Sequence, residues 1–225
     1  MLKYPCLVLD HDDTVVQSEA TVNHPFFLEF LDQHRPGMTI SLHDYINDCY
    51  EIGYGDMCRR RFNFTEEDLH REYVEWKEHI QGHIPDPYPG VDRIIQRQKA
   101  EGGIICVVSM SADSNIRRDY KTHFGMEPDE IFGWDMEPEN RKPSPWALHE
   151  IMRKYNLKPE DLLVVDDTKA AVPMAHTADV KIAFAGWGRT GFPKITAEME
   201  ELCDYSFSSA EALEQFLFKE NSDEN

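Results

Sequence analysis

Short apolar runs that end at polar residues recur along the chain and predict its strands. Within each run the apolar positions are continuous rather than alternating, and many carry β-branched side chains. This pattern is typical of strands covered on both faces, as in a parallel sheet. The four predicted strands are Cys6–Leu9, Ile104–Val108, Leu162–Val165 and Ile182–Ala185.

Helical spacing of apolar residues fills much of the chain between and after these runs. It predicts helices over residues 91–98, 146–155 and 210–218. Strands that alternate with helices predict an α/β fold, namely a doubly wound, Rossmann-like core with a parallel sheet.

One long segment departs from this alternation. Residues 16–86 contain no strand-like run, only helical patterns, and Thr65 followed by acidic residues is a candidate helix cap. The segment ends in a proline-rich connector over residues 85–90. The sequence therefore predicts an α/β core domain of residues 1–15 and 87–225, interrupted by an all-helical domain of residues 16–86. The polar tail Lys219–Asn225 is expected to fray.

Composition narrows the function classes. The 225 residues carry 23 Lys and Arg against 42 Asp and Glu, a net charge of −19, which disfavours binding to nucleic acid or to an anionic membrane. No apolar run approaches the ~20 residues of a membrane span. The first residues do not resemble a signal peptide, and the five cysteines are scattered, so we expect a cytoplasmic protein with reduced thiols.

Candidate chemistry lies where the predicted strands end. Because ligands of open α/β sheets bind at the carboxyl ends of the strands, these side chains are expected to converge. Four of them are carboxylates, which repel one another unless a hard divalent cation such as Mg²⁺ lies between them. Lys142, in a proline-rich loop, can neutralise a phosphate and a nucleophile there. The strand-end residues are Asp10, Asp12, Ser109, Asp166 and Asp167.

The order of these motifs resembles the haloacid dehalogenase-like (HAD) hydrolase superfamily. Asp-x-Asp-x-Thr at residues 10–14 is followed by a hydrophobic run with Ser109, then Lys-Pro-x-Pro at 142–145, then Asp-Asp at 166–167. The chain is most similar to the branch of phosphoglycolate phosphatase-like and β-phosphoglucomutase-like enzymes. The helical domain then corresponds to that branch's cap.

The resemblance implies a role for each matching position. Asp10 corresponds to the nucleophile that forms an aspartyl-phosphate, and Asp12 to the acid/base. The implied ligands of Mg²⁺ are Asp10, the backbone carbonyl of Asp12, and Asp167, with Asp166 as a ligand or neighbour. The implied phosphate binders are Ser109, the backbone amide of Met110, and Lys142.

The implied activity is Mg²⁺-dependent hydrolysis of a small phosphate monoester. Two alternatives stay open: a phosphomutase of the same branch acting on a sugar phosphate, and a catalytically silent protein that binds a phosphorylated metabolite. The substrate and the oligomeric state are not fixed by the sequence, although a monomer is compatible with a capped enzyme of this length.

Several residues have no settled role at this point. Asp13 stands where the family usually has glycine, and we favour a substitute that tolerates left-handed backbone over a charge that alters the metal site. The basic run Arg59–Arg61 is interpreted first as a solvated helix face and second as a substrate-anion contact. His79 and His83 have zinc-compatible spacing but lack an evident third ligand. The roles of Trp187 and Arg189 stay open.

Overall fold

The computed structural model describes residues 2–218, so the predicted fraying of the tail Lys219–Asn225 lies outside the described residues. Its centre is one six-stranded sheet in the order β3-β2-β1-β4-β5-β6, in which every neighbouring pair is parallel. This confirms the doubly wound, Rossmann-like fold class. The strands are β1 (Cys6–Leu9), β2 (Ile104–Val108), β3 (Glu130–Phe132), β4 (Leu162–Asp166), β5 (Lys181–Ala185) and β6 (Tyr205–Phe207).

Within residues 2–218, ten α-helices accompany the sheet, and five of them lie between β1 and β2 without an intervening strand. The helices are α1 (His24–His34), α2 (Leu42–Ile52), α3 (Tyr54–Phe62), α4 (Glu66–Gly82), α5 (Val91–Ala100), α6 (Asp113–Phe124), α7 (Trp146–Tyr155), α8 (Ala171–Thr177), α9 (Pro193–Leu202) and α10 (Ala210–Phe218).

Two edge strands, β3 and β6, escape the sequence pattern. Each is three residues long and only partly buried, whereas β1 and β4 are buried throughout. The short edge strands therefore lack the continuous apolar run that reveals a strand covered on both faces.

The chain divides into two compact units. The α/β unit contains the residues up to Val16 and from Pro87 onward, and the helical unit contains Gln17–Asp86. Val16 groups with the α/β unit, where it forms an isolated bridge with Pro87, so this boundary differs by one residue from the one expected at residue 16.

The helical unit has an aromatic core of its own. Phe27 lies with its ring centroid 5.3 Å from that of Phe62 and 5.5 Å from that of Tyr45, which brings α1, α2 and α3 together. The N-terminus of α4 carries a capping box, in which Thr65 and Asp68 satisfy each other's backbone amides.

In the α/β unit, parallel register fixes where the chemistry lies. Leu7 of β1 pairs with Ile105 of β2 on one side and with Leu163 of β4 on the other. The carboxyl ends of these three central strands consequently lie side by side. No helix within residues 2–218 is both long enough and apolar enough to cross a bilayer.

Candidate active site

Three carboxylates converge at the carboxyl ends of β1 and β4. One oxygen from each of Asp10, Asp166 and Asp167 lies within 4.8 Å of the others. All three residues are buried, and the amide of Asp10 donates to the carbonyl of Val165 at 2.9 Å, which ties the two strand ends together. We call these three residues the carboxylate cluster.

Lys142 bridges two members of the cluster. Its Nζ lies 2.7 Å from Asp10 Oδ1 and 2.5 Å from Asp166 Oδ2, although α7, the helix that follows it, begins only at Trp146. Burial opposes the charged ammonium, but the two carboxylates outweigh burial and raise the pKa of Lys142 above its ordinary value. The ion pairs with Asp10 and Asp166 therefore favour the charged form of Lys142.

The three clustered acids are hard to ionise together. Burial raises the pKa of Asp10 to about 6, against the opposing effect of Lys142. Burial likewise raises the pKa of Asp166 to about 6 and that of Asp167 to about 6, opposed by Lys142 and by Arg189 respectively. A cation among these oxygens would favour their ionised forms.

The residues present fit a divalent metal. Buried carboxylate oxygens from three side chains are the hard donors that such an ion prefers, and further positions are left to water or a phosphate oxygen. Asp10, Asp166 and Asp167 are the group of potential ligands found within residues 2–218, so the chain can hold a divalent metal at the ends of β1 and β4.

Hydrogen bonds fix how these acids point. Thr168 donates to Asp166 Oδ1 from its amide at 2.8 Å and from its hydroxyl at 2.7 Å. Thr14 Oγ1 donates to Asp167 Oδ1 at 3.1 Å, and the guanidinium of Arg189 contacts Asp167 Oδ2. Such partners orient metal ligands and set their affinity.

Asp12 and Asp13 continue the loop after β1. Asp12 is partly exposed and two residues from Asp10, whereas Asp13 is buried. Asp13 adopts a φ of 54°, in the left-handed region, and its amide donates to the carbonyl of Val16 at 2.8 Å. This backbone conformation agrees with the geometric interpretation of Asp13, but its side chain also forms an ion pair with Arg189.

The predicted phosphate-binding serine lies at the end of β2. Ser109 is buried, its amide donates to Phe132 O at 3.0 Å, and its Oγ accepts from the amide of Ser111 at 3.2 Å. Met110 follows with a side chain that is 48% exposed. The roles of Ser109 and of the Met110 amide in phosphate binding stay predictions.

Sequence reasoning did not assign several contacts around the site. Buried His11 places Nε2 3.0 Å from Asp119 Oδ2, which joins the loop after β1 to α6. Thr168 and Arg189 also contact the cluster directly. Thr168 directly follows the Asp-Asp motif, and Arg189 follows a predicted strand, but neither position indicates its partner. His11 lies 108 residues from Asp119, and Arg189 lies 176 residues from its second partner, Asp13.

Two other sequence features belong to the helical unit. Arg59, Arg60 and Arg61 are exposed and form ion pairs with Asp56, Glu66 and Asp48 on the helical unit, as a solvated helix face does. The rings of His79 and His83 stack at 3.8 Å, and no metal-ligand group within residues 2–218 includes them.

Known proteins resemble this chain in sequence and fold. The family model of haloacid dehalogenase-like hydrolases matches residues 4–179. Glyceraldehyde 3-phosphate phosphatase of Pyrococcus furiosus is 22% identical over 98% of this chain and 96% of its own length.

Solved structures share the fold at low identity. A protein from Lactobacillus plantarum described as a phosphoglycolate phosphatase superposes with a TM-score of 0.76 at 17% identity, covering 96% of this chain and 100% of its own. CbbY from Rhodobacter sphaeroides, solved with phosphate, has a TM-score of 0.71 at 19% identity and covers 95% of this chain and 96% of its own.

Proposed function

We propose that this chain, which belongs to the haloacid dehalogenase-like hydrolases, is a Mg²⁺-dependent phosphatase that cleaves a small phosphate monoester through an aspartyl-phosphate on Asp10. The observation that carries the proposal is the buried carboxylate cluster with Lys142 bridging Asp10 and Asp166. The named relatives and neighbours that act on phosphate esters support the same chemistry.

In the first half-reaction, a carboxylate oxygen of Asp10 attacks phosphorus and the bond from phosphorus to the ester oxygen breaks. Lys142 holds the other oxygen of the nucleophile and adds a positive charge near the phosphoryl group. Asp12, two residues on and partly exposed, supplies the proton that the leaving oxygen takes up.

In the second half-reaction, Asp12 accepts a proton from water as the water oxygen attacks the phosphorus of the aspartyl-phosphate. The bond from phosphorus to Asp10 breaks, which releases inorganic phosphate and regenerates the carboxylate. A bound Mg²⁺ would neutralise phosphate charge, and the residues that would hold it are Asp10, Asp166 and Asp167, together with the backbone carbonyl of Asp12.

The test is hydrolysis of p-nitrophenyl phosphate by the full chain. Activity is expected with Mg²⁺, is expected to disappear with EDTA, and is expected to fall by about four orders of magnitude or more in Asp10→Asn, because the nucleophile is lost. Asp32→Asn, an exposed aspartate of the helical unit, is the matched control and should retain activity. Undiminished turnover in Asp10→Asn would exclude the mechanism.

A second assay addresses the substrate. A panel of phosphorylated metabolites ranked by kcat/KM identifies the ester, and NMR of the products distinguishes release of phosphate from transfer to another position on a sugar. The cap role of the helical unit, the cytoplasmic location and the monomeric state stay predictions.

A further inference from the structure

Asp13 and Arg189 lie near the carboxylate cluster, belong to none of the matched motif positions, and contact each other. Within residues 2–218, Lys142 and Arg189 are the lysine and arginine side chains that are buried, and both contact the cluster. Lys142 belongs to a motif, whereas Arg189 does not. Its partner Asp13 stands where glycine is usual in the resembling family.

The guanidinium of Arg189 joins two acids at once. Its Nη1 lies 2.5 Å from Asp13 Oδ2, while Nη2 contacts Asp167 Oδ2. The three side chains are between 0% and 9% exposed, so this contact is shielded from water. A planar fork of donors suits two carboxylates in this way, which a lysine cannot reproduce.

The backbone around Arg189 is fitted to the loop after β1. Trp187 Nε1 donates to the carbonyl of Thr14 at 3.0 Å. A Cβ on Gly188 would lie 1.9 Å from the carbonyl oxygen of Asp13, so only glycine permits this close approach. The segment Gly186–Arg189 is therefore packed directly against the loop that carries Asp10 and Asp12.

These contacts hold Asp167 from both sides. Thr14 donates to Oδ1 and Arg189 contacts Oδ2, so neither oxygen can rotate away without breaking a contact. Asp13 and Arg189 have opposite charges, so together they leave the net charge of the site unchanged. They contribute orientation rather than extra charge.

We propose that Arg189, held by Asp13, is a positioning residue that orients Asp167 as a ligand of the divalent cation. The inference rests on the proposed function, because it requires a metal at the cluster. A positioning role predicts that loss of Arg189 changes the cation affinity in the direction opposite to the one that charge alone predicts. Removing a positive charge beside a ligand should tighten cation binding if charge dominates, and should weaken it if orientation dominates.

The experiment measures Mg²⁺ binding to the full chain by isothermal titration calorimetry, without substrate. Arg189→Gln is expected to weaken Mg²⁺ affinity by about 10- to 100-fold, the usual effect of losing a residue that orients a metal ligand. Arg189→Lys retains the charge but not the fork, so an intermediate affinity is expected. Arg93→Gln, which removes an exposed arginine paired with Glu211 and Glu214, is the control and should bind as the parent does.

Asp13 provides a second, independent arm. Asp13→Asn should weaken Mg²⁺ binding less than Arg189→Gln, since it only loosens the hold on the guanidinium. The double variant should bind no more weakly than Arg189→Gln alone, because Asp13 acts through Arg189. Thermal unfolding without metal accompanies each variant and separates loss of fold from loss of affinity.

The outcomes are distinguishable. Parent-like or tighter Mg²⁺ binding in folded Arg189→Gln, or fully additive effects of the two substitutions, would overturn the positioning role while leaving the phosphatase proposal standing. A parent chain that binds no Mg²⁺ would overturn the metal-dependent function, and this inference with it.

Discussion

The α/β unit and the helical unit bury charge in different ways. In the helical unit, Asp68 is satisfied mainly by Thr65, three residues away, with help from Arg35, and these contacts lower the pKa of Asp68 to about 2. In the α/β unit, Asp10 is paired with Lys142 across 132 residues of sequence. The first arrangement caps the N-terminus of α4, whereas the second exists only when the sheet has assembled.

The two units differ in whether the surroundings of a buried acid favour its ionised form or its protonated form. At the capped N-terminus of α4, Thr65 and Arg35 both stabilise the ionised form of Asp68. The carboxylate cluster instead holds three acids whose pKa values are raised by burial, and it leaves them to be balanced by buried cations. Such convergence of perturbed groups is typical of functional sites.

The largest expected effect comes from removing the ammonium group of Lys142, which bridges Asp10 and Asp166. Lys142→Met leaves Asp10 and Asp166 without their shared partner, so the free energy of unfolding should fall by about 3 kcal/mol in the absence of metal. The kcat for a phosphate ester should fall by about 100-fold or more, because a positive charge near the phosphoryl group is lost. Urea unfolding and steady-state kinetics measure the two effects.

The control for that change is Lys154→Met, which removes an exposed lysine paired with Glu130. Its unfolding free energy should change by less than about 1 kcal/mol, as for other surface ion pairs. Equal effects of the two substitutions would show that the cluster is no more dependent on its cation than the surface is.

Mg²⁺ should distinguish the two units directly. At a concentration 100 times its dissociation constant, a ligand stabilises the state that binds it by about 2.7 kcal/mol. Hydrogen exchange followed by mass spectrometry should therefore slow most in peptides that contain the ends of β1 and β4, and less in peptides from α4. Equal slowing in both units, or slowing that persists in Asp167→Asn, would contradict a cation site at the cluster.

Glu72 is the exception within the helical unit. Burial, with a smaller contribution from Glu75, raises its pKa to about 7, from an ordinary value of 4.5. Because the folded state holds this proton more tightly than the unfolded state, the stability contributed below pH 4.5 is lost as pH rises through 7.

Glu72→Gln should remove the loss of stability that the parent shows as the pH rises through 7. Its stability relative to the parent should increase between pH 4.5 and pH 8 by about 3 kcal/mol, measured by urea unfolding at each pH. Glu78→Gln, an exposed position on the same helix, should show little such dependence. A pH-independent difference for Glu72→Gln would mean that this carboxyl ionises normally in the folded protein.

Local features of the molecule could be predicted from the sequence, whereas long-range contacts could not. The central strands and the cap at Thr65 are encoded within a few residues, as a continuous apolar run or as a serine- or threonine-type cap followed by acids, and both predictions are confirmed. The motif order predicted which residues follow the strand ends. The contact of Arg189 with Asp13 spans 176 residues and carries no local pattern, so only the folded chain reveals it.

The smallest expected effect tests the local kind of charge burial. Thr65→Ala removes the hydroxyl that accepts from the Asp68 amide at 3.2 Å, and leaves that amide without its cap. The unfolding free energy should fall by about 1 kcal/mol, with no change in Mg²⁺ affinity. Ser41→Ala, at the exposed N-cap of α2, is the matched control and should cost less, because the hydrogen bond that Ser41 accepts from the Asp44 amide is exposed to water. A loss of Mg²⁺ affinity in Thr65→Ala would show that the two units do not bury charge independently, since a helix cap would then be coupled to the carboxylate cluster.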